Sequence, residues 1–160
     1  MSATSRPRTD RTTAVGVSVI ADGVRSAVAA PRLARVAKMV LAAEGERSAM
    51  LSVTLLANPA MARLNAQHLG HRGATDVISF AFRREPGAPL VGDIYIAPAV
   101  ARANAWSAGV GVREELVRLV VHGVLHVLGF EHPVDAGREA SPMWRRQEAL
   151  VRRAMRLIAR

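Results

Sequence analysis

The run LVRLVVHGVLHVLGFEH, residues 116–132, constrains the fold of this chain more than any other segment. It is the most apolar stretch present, yet it carries Arg118 and falls short of the roughly 20 residues that a bilayer crossing needs. No membrane span is expected. The pattern predicts a helix from about Val112 to Leu128, stopped by Gly129 in the manner of a C-terminal capping glycine. His122 and His126 stand four apart, which on a helix puts both side chains on one face about 6 Å from each other. Once Gly129 has turned the chain, His132 can come back from outside the helix to meet them.

Three imidazoles leave one position of a tetrahedral ion open, which is the coordination of a catalytic zinc site. Structural zinc usually takes four protein ligands, mostly cysteines, and this chain has no cysteine. A zinc ion held in the open way lowers the pKa of its water to about 7 and can polarise a phosphoryl or carbonyl oxygen. The competing reading makes each histidine a core residue satisfied by a backbone carbonyl. It requires three histidines and a helix-ending glycine between the second and third to coincide by chance. The spacing H-x-x-x-H-x-x-G-x-x-H is also that of metzincin proteases, whose general base is a glutamate directly after the first histidine. Here that residue is Gly123, so peptide hydrolysis by that route lacks its proton acceptor.

At 160 residues the chain has the size of one domain that closes its own core. The lack of cysteine excludes disulfides and thiol catalysis and favours a reducing compartment such as the cytoplasm. Residues 1–13 are polar and arginine-bearing without the apolar stretch of a secretory signal, and read as a flexible basic arm before a single domain over 14–160. The net charge of +9 is uneven, with seven arginines against two glutamates between Arg138 and Arg160. Such a surface suits a polyanion held through its phosphates. An arginine-rich composition spread over solvated faces would give the same charge.

Periodicity and punctuation predict an α+β fold, a mixed sheet of about four strands with about five helices. Strands are expected at 14–20, 50–57, 75–82 and 90–97, the last two paired as a hairpin across EPGAP. Helices are expected from Pro31 to Glu44, for about ten residues from the pair Asn58 (cap) and Pro59, from Pro98 to Ala108, and over the histidine segment. A last helix starts at Ser141 and Pro142, with Met143, Leu150, Val151, Ala154, Leu157 and Ile158 sharing one face and arginines on the other. Trp106 and Trp144 sit at helical spacing that suits core packing. Asp93 and Glu131 are candidates to orient a ligand histidine, against the plainer use of pairing with surface arginines.

The segment HGVLHVLGFEH resembles the hallmark H-G-x-L-H-L-x-G-Y-D-H of the YbeY family of bacterial endoribonucleases and rRNA maturation factors. It matches at His122, Gly123, Leu125, His126, Gly129 and His132 and departs mildly at Val127, Phe130 and Glu131. LNAQHLGHRGATDVISFAF and LVGDIYIAP also resemble family segments, and Met143, Gln147 and Glu148 fit its M-x-x-x-Q-E pattern, so the resemblance runs over about residues 50 to 150. It implies a zincin-like metal helix in which His122, His126 and His132 bind one zinc. It further implies cleavage of single-stranded RNA in maturation of the small-subunit rRNA 3′ end and in ribosome quality control. The implied partners are ribosomal RNA, the small subunit and assembly factors bound to it, with no DNA. An arginine that many members carry four residues after the LN asparagine is replaced here by Leu69, with Arg72 nearby, and His68 and His71 flank it. The sequence leaves open whether water or the RNA's own 2′-hydroxyl attacks. Two rival readings remain, a zinc-stabilised ribosome assembly factor without nuclease activity and a zinc hydrolase of another substrate.

Overall fold

The computed structural model describes residues 14–82 and 84–160, so the expected arm over 1–13 lies outside the described residues. Its elements run β1 (Val15–Ala21), α1 (Ala30–Ala43), β2 (Ala49–Leu55), α2 (Asn58–Leu69), β3 (Val77–Ala81), β4 (Leu90–Ile96), α3 (Pro98–Ala108), α4 (Val112–Val127) and α5 (Pro142–Ile158). The sheet order is β1-β2-β4-β3. β1, β2 and β4 are parallel, and β3 returns antiparallel on β4 with Val77 opposite Ile96. The α+β reading and the hairpin are therefore both present, with four strands and five helices among the described residues.

Strand alternation divides the structure into two layers. Leu51, Val53, Leu55, Ile94 and Ile96 face one side, where they form the main core with Leu33, Val36 and Val40 of α1 and with α4. On the other side α2 covers only the β3 end, through a smaller cluster of Leu56, Met61, Ile78 and Ala97. α4 is buried nearly all round because α1, α3, α5 and strands β3 and β4 all pack against it.

α4 can sit that close to the sheet because two glycines lie in the interface, Gly123 on the helix and Gly92 on β4. A Cβ on Gly123 would lie 2.7 Å from the Ile94 Cγ2 atom, and one on Gly92 would lie 2.5 Å from a Val127 methyl. The helix carries its gap opposite Ile94, and the strand carries its gap opposite Val127. This interlock fixes the rotation of α4 about its axis, and with it the direction in which His122 and His126 point.

Two details differ from expectation. α2 is capped by the Ala57 backbone without a side-chain hydrogen bond, so Asn58 is the first helical residue and not the cap. The reason is local, because extended backbone at Ala57 already precedes a proline in the first turn and leaves Asn58 inside the helix. Trp106 is 89% exposed, contrary to a place in the core. α3 docks through Ala101 and Ala105, small residues that bring the helix close and leave the adjacent Trp106 facing outward. Trp144 is half-buried.

Candidate metal centre

The end of α4 builds the site. Gly129 takes a positive φ of 96°, its N–H donates to the His126 carbonyl, and the Phe130 N–H donates to that of Leu125. These two bonds form a Schellman motif, which closes the helix and reverses the chain. Phe130 packs against the core, anchoring the reversal. His132 thus arrives beside α4, with ring centroids 5.2 Å from His122 and 5.0 Å from His126, while His122 and His126 are 4.4 Å apart. One ring nitrogen from each of the three lies within 4.8 Å of the others, a group that could hold a metal ion.

Each ring is turned by its other nitrogen. His122 Nδ1 lies 2.7 Å from Gln147 Oε1, and Gln147 Nε2 donates to Glu148 Oε1 at 3.2 Å. Because the amide nitrogen faces the carboxylate, its oxygen faces His122, so Nδ1 carries the proton and Nε2 keeps its lone pair for a ligand. His132 Nδ1 is similarly 2.7 Å from the Pro133 carbonyl. Behind Gln147, Arg118 donates to Glu148, Glu115 and Glu114 at 2.7–3.1 Å. Burial works against the Glu148 carboxylate, but its bonds to Arg118 and Gln147 outweigh it and hold its pKa below the ordinary value.

The orienting partner is therefore Gln147, and the two carboxylates considered for that task stand elsewhere. Asp93 accepts a 2.6 Å hydrogen bond from Ser52 on the sheet face turned away from α4. Asp93 alternates with Gly92 and Ile94, which face the helix, so strand register alone points it away. Glu131 is exposed, and among the described residues no hydrogen bond joins it to a histidine. Gln147 is 2% exposed and sits in the apolar stripe of α5, where a buried amide breaking the pattern was the available signal. Substitution Gln147→Leu keeps the volume and removes the acceptor, and is expected to weaken metal binding by about 10–100-fold. Competition titration against a chelator measures this, and unchanged affinity would refute the assigned role.

Burial pushes the His122 pKa down to about 4, only partly opposed by the bond to Gln147. Burial lowers His126 as well, and the neighbouring His132 adds to the effect. Neutral imidazoles are the form that ligates a metal. In the unfolded chain these rings take up protons near pH 6.5, so below that value the unfolded state binds more protons than the folded one. Stability of the metal-free protein should then fall as pH drops from about 6.5 toward about 4, the sign linkage requires for a depressed histidine. Urea midpoints across that range check this, and His122→Phe should flatten the slope.

Beside His122 opens a cavity of about 380 Å³ lined by Asp76, Asn104, Glu115, Arg138, Trp144 and Gln147, among others. The α2 end of the chain takes no part in this lining. Leu69 is 48% exposed, His71 and Arg72 are exposed, and His68 lies on the last turn of α2, edge-on to Phe80 at 5.1 Å. No helix among the described residues is long and apolar enough to cross a membrane.

The chain is similar to known proteins. The family model described as "Endoribonuclease YbeY" matches residues 23–155, reaching further toward the N-terminus than the motifs themselves. The chain is 39% identical over 137 residues to an endoribonuclease YbeY of Anaeromyxobacter sp. (strain Fw109-5), covering 84% of this chain and 69% of that one. A second, from Anaeromyxobacter dehalogenans, is 40% identical over 140 residues, covering 84% and 71%. The solution structure of TM1509 from Thermotoga maritima shares the fold with a TM-score of 0.58 at 23% identity, over 86% of this chain and 88% of that one. The family model and both relatives show that the chain belongs to the YbeY family.

Proposed function

We propose that this chain is a zinc-dependent endoribonuclease of the cytoplasm. In this reading it cleaves single-stranded RNA during maturation of the small-subunit rRNA 3′ end and in late ribosome quality control. Its partners would be ribosomal RNA, the small subunit and assembly factors bound there. The observation that carries the reading is the convergence of His122, His126 and His132 with their donor nitrogens together. Three neutral nitrogen donors without cysteine or carboxylate suit zinc with a position left open.

A zinc ion held by the three histidines would supply Lewis acidity and an acidified water. The protein's own groups do the rest. Gln147 and the Pro133 carbonyl keep the Nδ1 protons of His122 and His132, leaving Nε2 of each ring as the donor. Arg138 places positive charge that is felt at both His122 and His126, where a phosphodiester would approach. Glu115 and Glu148 are committed to Arg118, and Asp76 to Val77 and Asn104, so these carboxylates hold neighbouring groups in place. Exposed Arg145, Arg152, Arg153 and Arg156 on α5 add phosphate-binding charge further out.

The test is metal content measured together with ribonuclease activity on highly purified protein. About one zinc per chain and cleavage of single-stranded RNA that a chelator abolishes are expected. Binding to ribosomal particles with no cleavage at any metal loading would replace the nuclease with an assembly factor docking through α5.

A further inference from the structure

The cavity beside His122 has a graded lining. Its floor is buried, formed by Glu115, Leu119, His122 and Gln147, whereas Ala108, Arg138 and Glu139 at its rim are exposed. Its volume of about 380 Å³ lies at the small end of ligand pockets, which run from about 300 to 1,000 Å³. We propose that it is a base-binding subsite, which takes one nucleobase of single-stranded RNA next to the cleaved phosphodiester and reads its edge with Asn104. This rests on the endoribonuclease reading of the histidine site.

Charge decides which part of a nucleotide can enter. Among the described residues lining the cavity, Arg118 is the cation near the floor, and three carboxylates already occupy it. Asp76 adds a further carboxylate to the wall, so a phosphate is repelled from the interior while an uncharged base is not. Arg138, which makes no ion pair among the described residues, stands at the rim 5.9 Å over the Trp144 ring. The Arg138 carbonyl accepts from both the N–H and the hydroxyl of Ser141, at 3.1 and 2.6 Å, and Ser141 caps the helix that carries Trp144. Cation and aromatic ring are thus tied to one turn, with the Arg138 guanidinium, next in sequence to Glu139, offered to a phosphate at the mouth and a flat surface on the wall.

Asn104 supplies the reading group. Its Nδ2 donates to Asp76 Oδ2 at 3.1 Å, and Asp76 Oδ1 is itself fixed by the Val77 N–H at 2.8 Å. The carboxamide is therefore held in one orientation by an anchored carboxylate. Its Oδ1 and second N–H make no hydrogen bond among the described residues, leaving an acceptor beside a donor, the pair with which an amide reads a base edge.

The experiment uses metal-free Trp106→Phe protein, in which Trp144 is the sole tryptophan. Titration with AMP, GMP, CMP and UMP should quench its emission saturably in the millimolar range or below. Asn104→Ala in that background should weaken the preferred nucleotide by about fivefold, the loss of one hydrogen-bonding group, and compress the ranking of the four. Absence of saturable quenching, or equal binding of ribose 5-phosphate, would overturn the subsite. So would an Asn104→Ala protein, folded by its urea midpoint, with unchanged nucleotide ranking. Because no metal or cleavage is involved, nucleotide binding by a protein that cleaves no RNA would instead overturn the nuclease reading and keep the pocket.

Discussion

His126→Ala is expected to lower RNA cleavage by about 10³-fold or more and to leave the purified protein with little metal. The Lewis acidity and acidified water of such a site supply several kcal/mol, and each 1.36 kcal/mol is about tenfold in rate. Two imidazoles cannot replace the third, because His122 and His132 are each fixed by a partner and cannot move into the vacated position. The fold should survive, since His126 is only partly buried at the end of α4. A variant that keeps metal and cleaves normally would end the metal-centre reading. A variant that unfolds is recognised by its urea midpoint, and His132→Ala, outside any helix, then carries the same test.

Gly123→Glu would complete the protease signature, and is expected to destroy the fold without creating a peptidase. The Cβ alone would meet Ile94 Cγ2 at 2.7 Å and Ser79 Oγ at 3.2 Å. Ile94 is wholly buried and β-branched, so it cannot swing aside. The carboxylate would then enter a tightly packed helix–sheet interface with no cation to pair it and only the Ser79 hydroxyl nearby, and the cost is expected to exceed about 4 kcal/mol, among the larger single-substitution effects. Gly123→Ala should cost less, about 1–3 kcal/mol from overpacking, partly offset by roughly 1 kcal/mol of helix propensity. Urea denaturation of both variants measures this, and a Gly123→Glu protein with an unchanged midpoint would show that α4 does not ride on the sheet as described. The glycine that sets the motif apart from proteases is thus required by packing, a reason independent of chemistry.

Local signals were the legible part of this fold. Gly129 and Ser141 announced their helix ends because capping depends on a few neighbouring residues, and both act as their types predict. The three histidines were legible for the same reason, lying within one helix and its turn. Gln147 was visible as a motif match and as an amide interrupting an apolar stripe, but its task depends on how α5 docks, and it lies 25 residues from His122. The sequence left Asp93 with two candidate uses, and neither is the one observed, because sequence position alone did not say which sheet face it takes or that Ser52 would meet it there. Trp106 was misjudged because α3 is rich in alanine, and a helix with so little apolar contrast does not declare its buried side.

In the proposed metal centre, the contact between His122 and Gln147 would also govern how a bound ion leaves. All three histidines belong to the α4 segment, but the partner that sets the His122 tautomer arrives on α5, held by Met143, Leu150, Val151, Ala154 and Ile158. Opening of α5 as a local unit frees the ring to reorient and loosens its grip. The residence time of a metal held there would therefore be a property of the docking of α5, and hydrogen exchange in that helix and metal exchange at the histidines should share one clock.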